Sequence, residues 1–165
     1  TTISVEEWEA DDVIATLVKH YKTPVTLHTN DMDYGQLGLY EHVTLNGVNM
    51  KGLNPVDVPL YKTLVGDPSD NIKGIPKFGP KAWEALEPFR DEAERCLRAE
   101  DRTGFTQLPL KPGHLAYVSE NFEELLAMYK IVQPMDVPLD AVEKGMTRGQ
   151  PNRIIGHEIL SEFFL

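Results

Sequence analysis

Seven carboxylates fall in three tight groups along the chain: Glu9, Asp11 and Asp12; Asp31 and Asp33; Asp67 and Asp70. Gathered in one place without cations, so many acids would raise one another's pKa values and cost stability. Hard divalent cations relieve that repulsion, and magnesium is typically held by one or two carboxylates plus waters and phosphate oxygens. Two such ions about 3.5–4 Å apart activate a water and stabilise the leaving oxygen when a phosphodiester is cleaved. Each group also has a plain structural reading. Acids in a first helical turn complement the helix dipole, and Asp31–Asp33 and Asp67–Asn71 both suit polar turns. A calcium loop starting at Asp31 is excluded, because Gln36 and His42 stand where an EF-hand needs Gly and Glu. Spacing alone does not bring the three groups together; their convergence is an expectation for the fold to meet.

A second constellation lies just downstream. Gly74 and Gly79 bracket an Ile75-Pro76 hairpin, and Lys73, Lys77 and Lys81 occur in the same window with no acid among them. Glycines let backbone amides approach a phosphate closely, and a helix beginning at Pro80 would point its positive end the same way. The plain alternative is a helix–hairpin–helix connector with solvated lysines.

The elements that must hold these groups are legible from periodicity. Val13, Ile14, Leu17, Val18 and Tyr21 follow the spacing of an amphipathic helix starting near Ala10. Pro24 introduces a short strand, VTLHT, that ends in the polar turn at Asn30–Asp33. A second strand at His42–Leu45 is expected to return as a hairpin through Val48 to Lys51. A short helix is expected over Val58–Val65, a turn over 66–71, and helices carrying Trp83 and Leu86, then Phe89, Ala93, Cys96 and Leu97, then Phe122, Leu125, Leu126 and Tyr129. The stretch 104–113 reads as a loop, and a terminal helix is expected over 151–165 with Ile155, Ile159 and Phe163 on one face.

Composition narrows the classes. The chain has 165 residues and 41% hydrophobic residues, which is ordinary globular content and argues against wholesale disorder; its formal net charge of -10 speaks against a simple basic DNA-coating protein, although where the acids sit matters more than their sum. No apolar run approaches the roughly 20 residues of a membrane span, and residues 1–20 lack a signal-peptide pattern. The single cysteine, Cys96, excludes an intramolecular disulfide framework and a thiolate zinc site, and fits a reducing, cytoplasmic setting. The five histidines show no metal-ligand spacing; with Cys96, Trp83 and Phe78 they are expected to serve packing or surface roles.

Three ordered motifs then carry a resemblance. Glu9-Ala10-Asp11-Asp12 followed by VIATL, Thr29-Asn30-Asp31-Met32-Asp33, and LVGDPSDNIKGIPKFGPKA resemble the 5′-nuclease or flap endonuclease family, which includes the 5′–3′ exonuclease domain of bacterial DNA polymerase I and bacteriophage 5′ nucleases. The similarity runs from about Trp8 to about Val137. It implies an α/β fold: a partial, mostly parallel central sheet with flanking helices, followed by a helix-three-turn-helix subdomain. The corresponding boundaries are 1–66 for the α/β metal-site core, 67–150 for the DNA-binding subdomain and returning helices, and 151–165 for a C-terminal helix. It also implies a divalent-metal-dependent 5′–3′ exonuclease or flap endonuclease using two Mg2+ or Mn2+ ions. Glu9, Asp11 and Asp12 would serve the first metal site, and Asp31, Asp33, Asp67 and Asp70 the second. Lys73, Gly74, Ile75, Lys77, Gly79 and Lys81 would grip duplex DNA, with a possible K+ at the hairpin. Asn30 and Lys77 stand where the family usually has Gly. The family's N-terminal half, with further metal-binding aspartates and a basic arch, has no counterpart here, so a companion half in the same or another polypeptide is expected, as is self-association if exposed sheet edges remain. The alternative reading is a non-catalytic, structure-selective duplex DNA-binding module.

Overall fold

The computed structural model describes residues 2–147. The terminal helix expected over 151–165, and His157 with it, lies outside the described residues. In chain order the elements are β1 (Thr2–Ile3), α1 (Ala10–His20), β2 (Val25–His28), β3 (Val43–Asn46), α2 (Val58–Val65), α3 (Pro80–Ala85), α4 (Arg90–Arg98), α5 (Arg102–Thr106), α6 (Pro112–Ile131), α7 (Leu139–Lys144) and β4 (Met146–Thr147). A 3-10 segment, Met32–Leu39, joins β2 to β3, and a short one, Pro68–Asp70, follows α2. The protein is therefore a mixed α/β fold dominated by helix.

The sheet is smaller than expected. Among the described residues it consists of two separate pairs: β2 and β3 run parallel, Val25 opposite Val43 through His28 opposite Asn46, and β1 and β4 pair antiparallel over two residues each. The expected hairpin return through Val48 to Lys51 does not form. Gly47 turns at φ +99° against the end of β2, where an added Cβ would lie 2.7 Å from the Thr29 carbonyl oxygen. Lys51 and Gly52 then both take positive φ and lead the chain away. The parallel pair is one-sided, with Val25, Leu27, Val43 and Leu45 half-buried and Thr26, His28, Thr44 and Asn46 exposed, as period-2 strands require. Its apolar face packs on Ala15 and Val18 of α1 and on Leu37.

The main core lies among the helices. Leu60 and Leu64 of α2, Trp83, Leu86, Ala93, Cys96, Leu97, Phe105 and the α6 stripe Phe122, Leu125, Leu126 and Tyr129 form one buried cluster. Each large apolar side chain so buried contributes about 1.5–3 kcal/mol. Cys96, Trp83 and Phe78 are packing residues, as expected. Phe89 is not: it is 40% exposed and precedes α4. The stretch 104–113 is only partly loop, since Asp101 caps α5 through a bond from the Gly104 N–H at 2.8 Å and Pro112 opens α6. In α6 the backbone departs from helical geometry at Asn121, whose side-chain amide donates to the Tyr117 carbonyl. No described helix is long and apolar enough to cross a membrane.

Candidate active site

The turn after α2 is built to aim carboxylates backwards. Gly66 ends the helix at φ +94°, where a Cβ would come within 2.8–2.9 Å of the Ile72 and Lys73 carbonyl groups. Asp67 and Ile72 then exchange backbone hydrogen bonds at 2.8 and 2.9 Å, closing the loop. Inside it, Oδ1 of Asp67 accepts from the Ser69 N–H at 3.0 Å and from the Ser69 hydroxyl, and Asn71 takes the left-handed conformation that Asn tolerates. With Oδ1 so held, Oδ2 of Asp67 faces α2, as does Oδ2 of Asp70.

Both meet the ammonium of Lys62. Its Nζ lies 2.5 Å from Asp70 Oδ2 and 3.0 Å from Asp67 Oδ2, and it also pairs with Asp33 Oδ1. Asp33 arrives from a separate segment, in the first turn of the 3-10 stretch after β2, where its N–H donates to Asp31 Oδ1 at 2.9 Å. The Asp31 N–H in turn donates to the Thr29 hydroxyl at 3.1 Å. The structure thus brings Asp33, Asp67 and Asp70 to one point, with Asp31 as the cap that orients Asp33. Among the described residues no group of three or more His, Cys, Asp or Glu side chains forms a metal-holding set; these three carboxylates meet around a lysine.

Electrostatics follow the packing. Lys62 is 1% exposed. Burial alone would favour its neutral form, but hydrogen bonds from Lys62 to Asp33, Asp70 and Asp67 hold its pKa well above the ordinary lysine value. Burial raises the Asp33 carboxyl above the usual range, opposed by Lys62 and reinforced by the charges of Asp31 and Asp70. Burial also works against the charged form of Asp67, yet the bonds from Ser69 and Lys62 overcome it and leave the carboxyl below its ordinary value.

Glu9, Asp11 and Asp12 line a cleft of about 410 Å³ together with Glu7, Asp33, Tyr34 and residues 130–135; of the carboxylates around Lys62, Asp33 alone lines it. Glu9 precedes α1 without a side-chain cap bond, whereas Asp11 and Asp12 lie in its first turn. Asp11 is half-buried and its Oδ1 accepts the Asp12 N–H at 2.9 Å. Asp12 is buried, and its Oδ1 accepts the Met135 N–H at 2.7 Å. Burial first, then the charges of Asp11, Asp31 and Asp33, raise the pKa of the Tyr34 phenol. Tyr34 is therefore the shared neighbour of the first and second acidic groups, and Asp33 joins the second to the third. Lys62, Tyr34 and Glu7 were missed in the sequence. The available signal for Lys62 was a single charge within the otherwise apolar helix VPLYKTLV.

The hairpin begins directly behind the Asp67 turn. Gly74 takes φ +67° and packs so closely on Val65 and Gly66 that a Cβ would lie 2.6 Å from backbone atoms of each. The Ile75 N–H donates to the Leu64 carbonyl at 2.8 Å, and the Ile75 side chain is buried. Lys77 takes φ +63°, the left-handed geometry for which glycine is the usual choice. Gly79 caps α3, and the side chains of Lys73, Lys77 and Lys81 are exposed, Lys73 lying 4.0 Å from Glu124.

A mixed α/β frame thus carries an acid-lined cleft, a carboxylate cluster around Lys62 and, directly after the Asp67 turn, an exposed lysine-bearing hairpin, and comparison with known proteins gives the class. The chain is 32% identical to DNA polymerase I of Pseudomonas aeruginosa over 170 residues, 92% of this chain and 18% of the relative. It is 38% identical to a 5′–3′ exonuclease of Buchnera aphidicola over 130 residues, 64% of this chain and 43% of the relative. It is 30% identical to DNA polymerase I of Bacillus subtilis over 163 residues, 86% of this chain and 18% of the relative. The chain therefore spans less than half the length of each of these relatives. No protein-family model matches it. The chain belongs to the 5′–3′ exonuclease family.

Proposed function

We propose that this chain forms part of a divalent-cation-dependent 5′ nuclease that hydrolyses phosphodiesters of 5′-ended or 5′-flap DNA, a reading supported by its relatives being named 5′–3′ exonuclease and DNA polymerase I. The observation that carries the reading is the convergence of Asp33, Asp67 and Asp70 on one positive charge, from segments 34 or more residues apart in sequence. That donor set suits a hard cation, which prefers carboxylate oxygen. Asp33, Asp67 and Asp70 would hold one Mg2+ or Mn2+, with Asp31 orienting Asp33. Asp11, with Asp12 and Glu9 beside it, would serve a second ion across the cleft. When bound, the ions would supply an activated water and stabilise the leaving oxygen of the phosphodiester.

The chain's own residues do the rest. The cleft admits the scissile phosphate beside Asp33 and Tyr34. The segment from α2 through the hairpin to α3 acts as a helix-three-turn-helix grip: Gly74 lets the backbone fold flat, and Lys77 and Lys81 neutralise duplex phosphates. The net charge of -10 is compatible with DNA binding because only this edge need be basic. Further residues of the active enzyme, in the same polypeptide or another, would complete the acidic site and hold the 5′ end.

The test is cleavage of a labelled 5′-flap duplex by the chain joined with the N-terminal part of a relative's exonuclease region. Mg2+- or Mn2+-dependent product is expected with the wild-type sequence and none with Asp67→Asn. Product that persists in Asp67→Asn would remove the nuclease assignment of this site. Salt-sensitive duplex binding without cleavage would favour a non-catalytic DNA-binding module.

A further inference from the structure

Lys62 is an unusual occupant for the meeting point of three acids. It sits in α2 between Leu60 and Leu64, which are 1% and 0% exposed, and its own side chain is 1% exposed. Its stem is therefore part of the core, and only its head reaches the carboxylates. The ammonium so enclosed directs its hydrogen bonds to Asp33, Asp67 and Asp70. Those acids in turn come from two segments that share no other ion pair with each other. Lys62 is the tie between the 3-10 segment after β2 and the turn after α2.

We propose that Lys62 is a resident counter-cation that competes with divalent metal for the same three carboxylates. This inference rests on the metal reading of the site given above. Without metal, the ammonium keeps the acids assembled and cancels their repulsion. A divalent ion cannot share that point, because it would stand within about 3 Å of a positive head in a poorly solvated place, where like charges repel strongly. Binding is then an exchange in which the Lys62 head gives up at least part of its ion pairing. Asp70 is the natural partner to move first, since its side chain is 41% exposed whereas that of Asp67 is 16% exposed and held by Ser69. Lys62 is thus a positioning residue that lowers metal affinity while it preassembles the site.

The test compares Mn2+ binding, read by electron paramagnetic resonance of free Mn2+, in the whole chain and in Lys62→Met. The variant is expected to melt at a lower temperature in EDTA yet to bind Mn2+ about tenfold more tightly, the size of one modest charge interaction. A merely structural lysine would give the first effect and not the second. Lys62→Arg, which keeps the charge, is expected to retain the weak affinity. A measurement on the unmodified chain covers the case in which Lys62→Met fails to fold. The side-chain 15N resonance of Lys62, shielded from solvent exchange, should shift as Mg2+ is added, while those of Lys77 and Lys81 stay in place. Equal or weaker Mn2+ binding by Lys62→Met, or an unmoved Lys62 resonance at Mg2+ concentrations that displace bound Mn2+, overturns the competition and leaves the metal reading standing. Absence of Mn2+ binding in both proteins overturns the competition together with the metal reading.

Discussion

Oδ1 of Asp12 accepts the backbone N–H of Met135 at 2.7 Å, linking the first turn of α1 to a segment 123 residues away. Four residues on in α1, the hydroxyl of Thr16 accepts the Val137 N–H at 2.8 Å, so the return segment after α6 is stitched to one face of α1 at two points. Both acceptors are buried. One oxygen of Asp12 is thereby committed to the fold, and Asp11, half-buried on the cleft, is the freer of the two acids.

Removing the Asp12 acceptor should therefore act on stability before it acts on chemistry. Asp12→Ala is expected to cost about 1–3 kcal/mol, because the charge-assisted bond from the Met135 N–H is lost. Asp12→Asn, which keeps an acceptor oxygen, should cost less than half as much. Urea unfolding of the two variants decides it; equal losses would mean that the charge rather than the hydrogen bond holds the segment.

The hairpin separates two roles of backbone geometry. Gly74→Ala is expected to lose about 2–4 kcal/mol, since positive φ adds strain and the new methyl runs into backbone of Val65 and Gly66 that cannot give way. Lys77→Gly relieves strain at φ +63° while adding freedom to the unfolded chain, two effects of about 1 kcal/mol that nearly cancel. Its stability should stay within about 0.5 kcal/mol of wild type. Duplex DNA binding should weaken, with the salt dependence of log K falling by about one unit of slope. Denaturant titrations and fluorescence anisotropy at several salt concentrations measure the two effects separately.

Arg90, at the start of α4, joins it to α3 and to Asp57, the residue that precedes α2. Its guanidinium lies 3.9 Å over the Trp83 ring, donates to Asp57 Oδ2 at 3.0 Å and to the Trp83 carbonyl at 3.3 Å. Asp57 is 8% exposed, so removal of its partner leaves a carboxylate short of water. Arg90→Ala should destabilise by about 2–4 kcal/mol, and Arg90→Lys by roughly half that, since Lys keeps the charge but neither the fork nor the stacking plane. A thermal melt of Arg90→Ala within 2 °C of wild type would show the trio to be dispensable.

Local pattern explains how much was legible beforehand. The helices around Val13–Val18, Leu60–Leu64 and Phe122–Tyr129 announce themselves because their apolar stripes face a core at helical spacing. Pro80 and Pro112 mark helix starts because a first-turn proline loses no hydrogen bond. The β3 return was not legible: His42–Leu45 alternates as any strand does, and only the partner strand decides between parallel and antiparallel pairing. In the site, the three acidic groups could be picked out by residue type, and the Asp67–Asn71 turn by its composition. The role of Lys62 could not, because a lysine in an apolar run looks the same whether its head escapes to water or turns inward. The Asp12–Met135 bond was equally hidden, since its donor is a backbone N–H and carries no residue signature.

Tyr129 offers a test at alkaline pH. Its hydroxyl donates to Glu94 Oε1 at 2.9 Å, an oxygen that also accepts from Arg98. Burial first, and the Glu94 charge second, push the phenol pKa well above its ordinary value, with Arg98 pulling the other way. Because the folded pKa is raised, the protonated phenol contributes stability that is fully present below the unfolded tyrosine pKa of about 10 and is lost as pH rises through the folded value. Stability of the wild-type chain should therefore hold to about pH 9.5 and then fall, this one group contributing up to about 1.4 kcal/mol per pH unit. Tyr129→Phe should be less stable by about 0.5–1.5 kcal/mol at pH 8, where the lost hydrogen bond is felt. The two curves should converge above pH 10, because the variant has no phenol to ionise when it unfolds. Denaturant midpoints measured from pH 8 to 11 on both proteins provide the comparison; curves that stay parallel would show that the Tyr129 hydroxyl ionises as readily folded as unfolded.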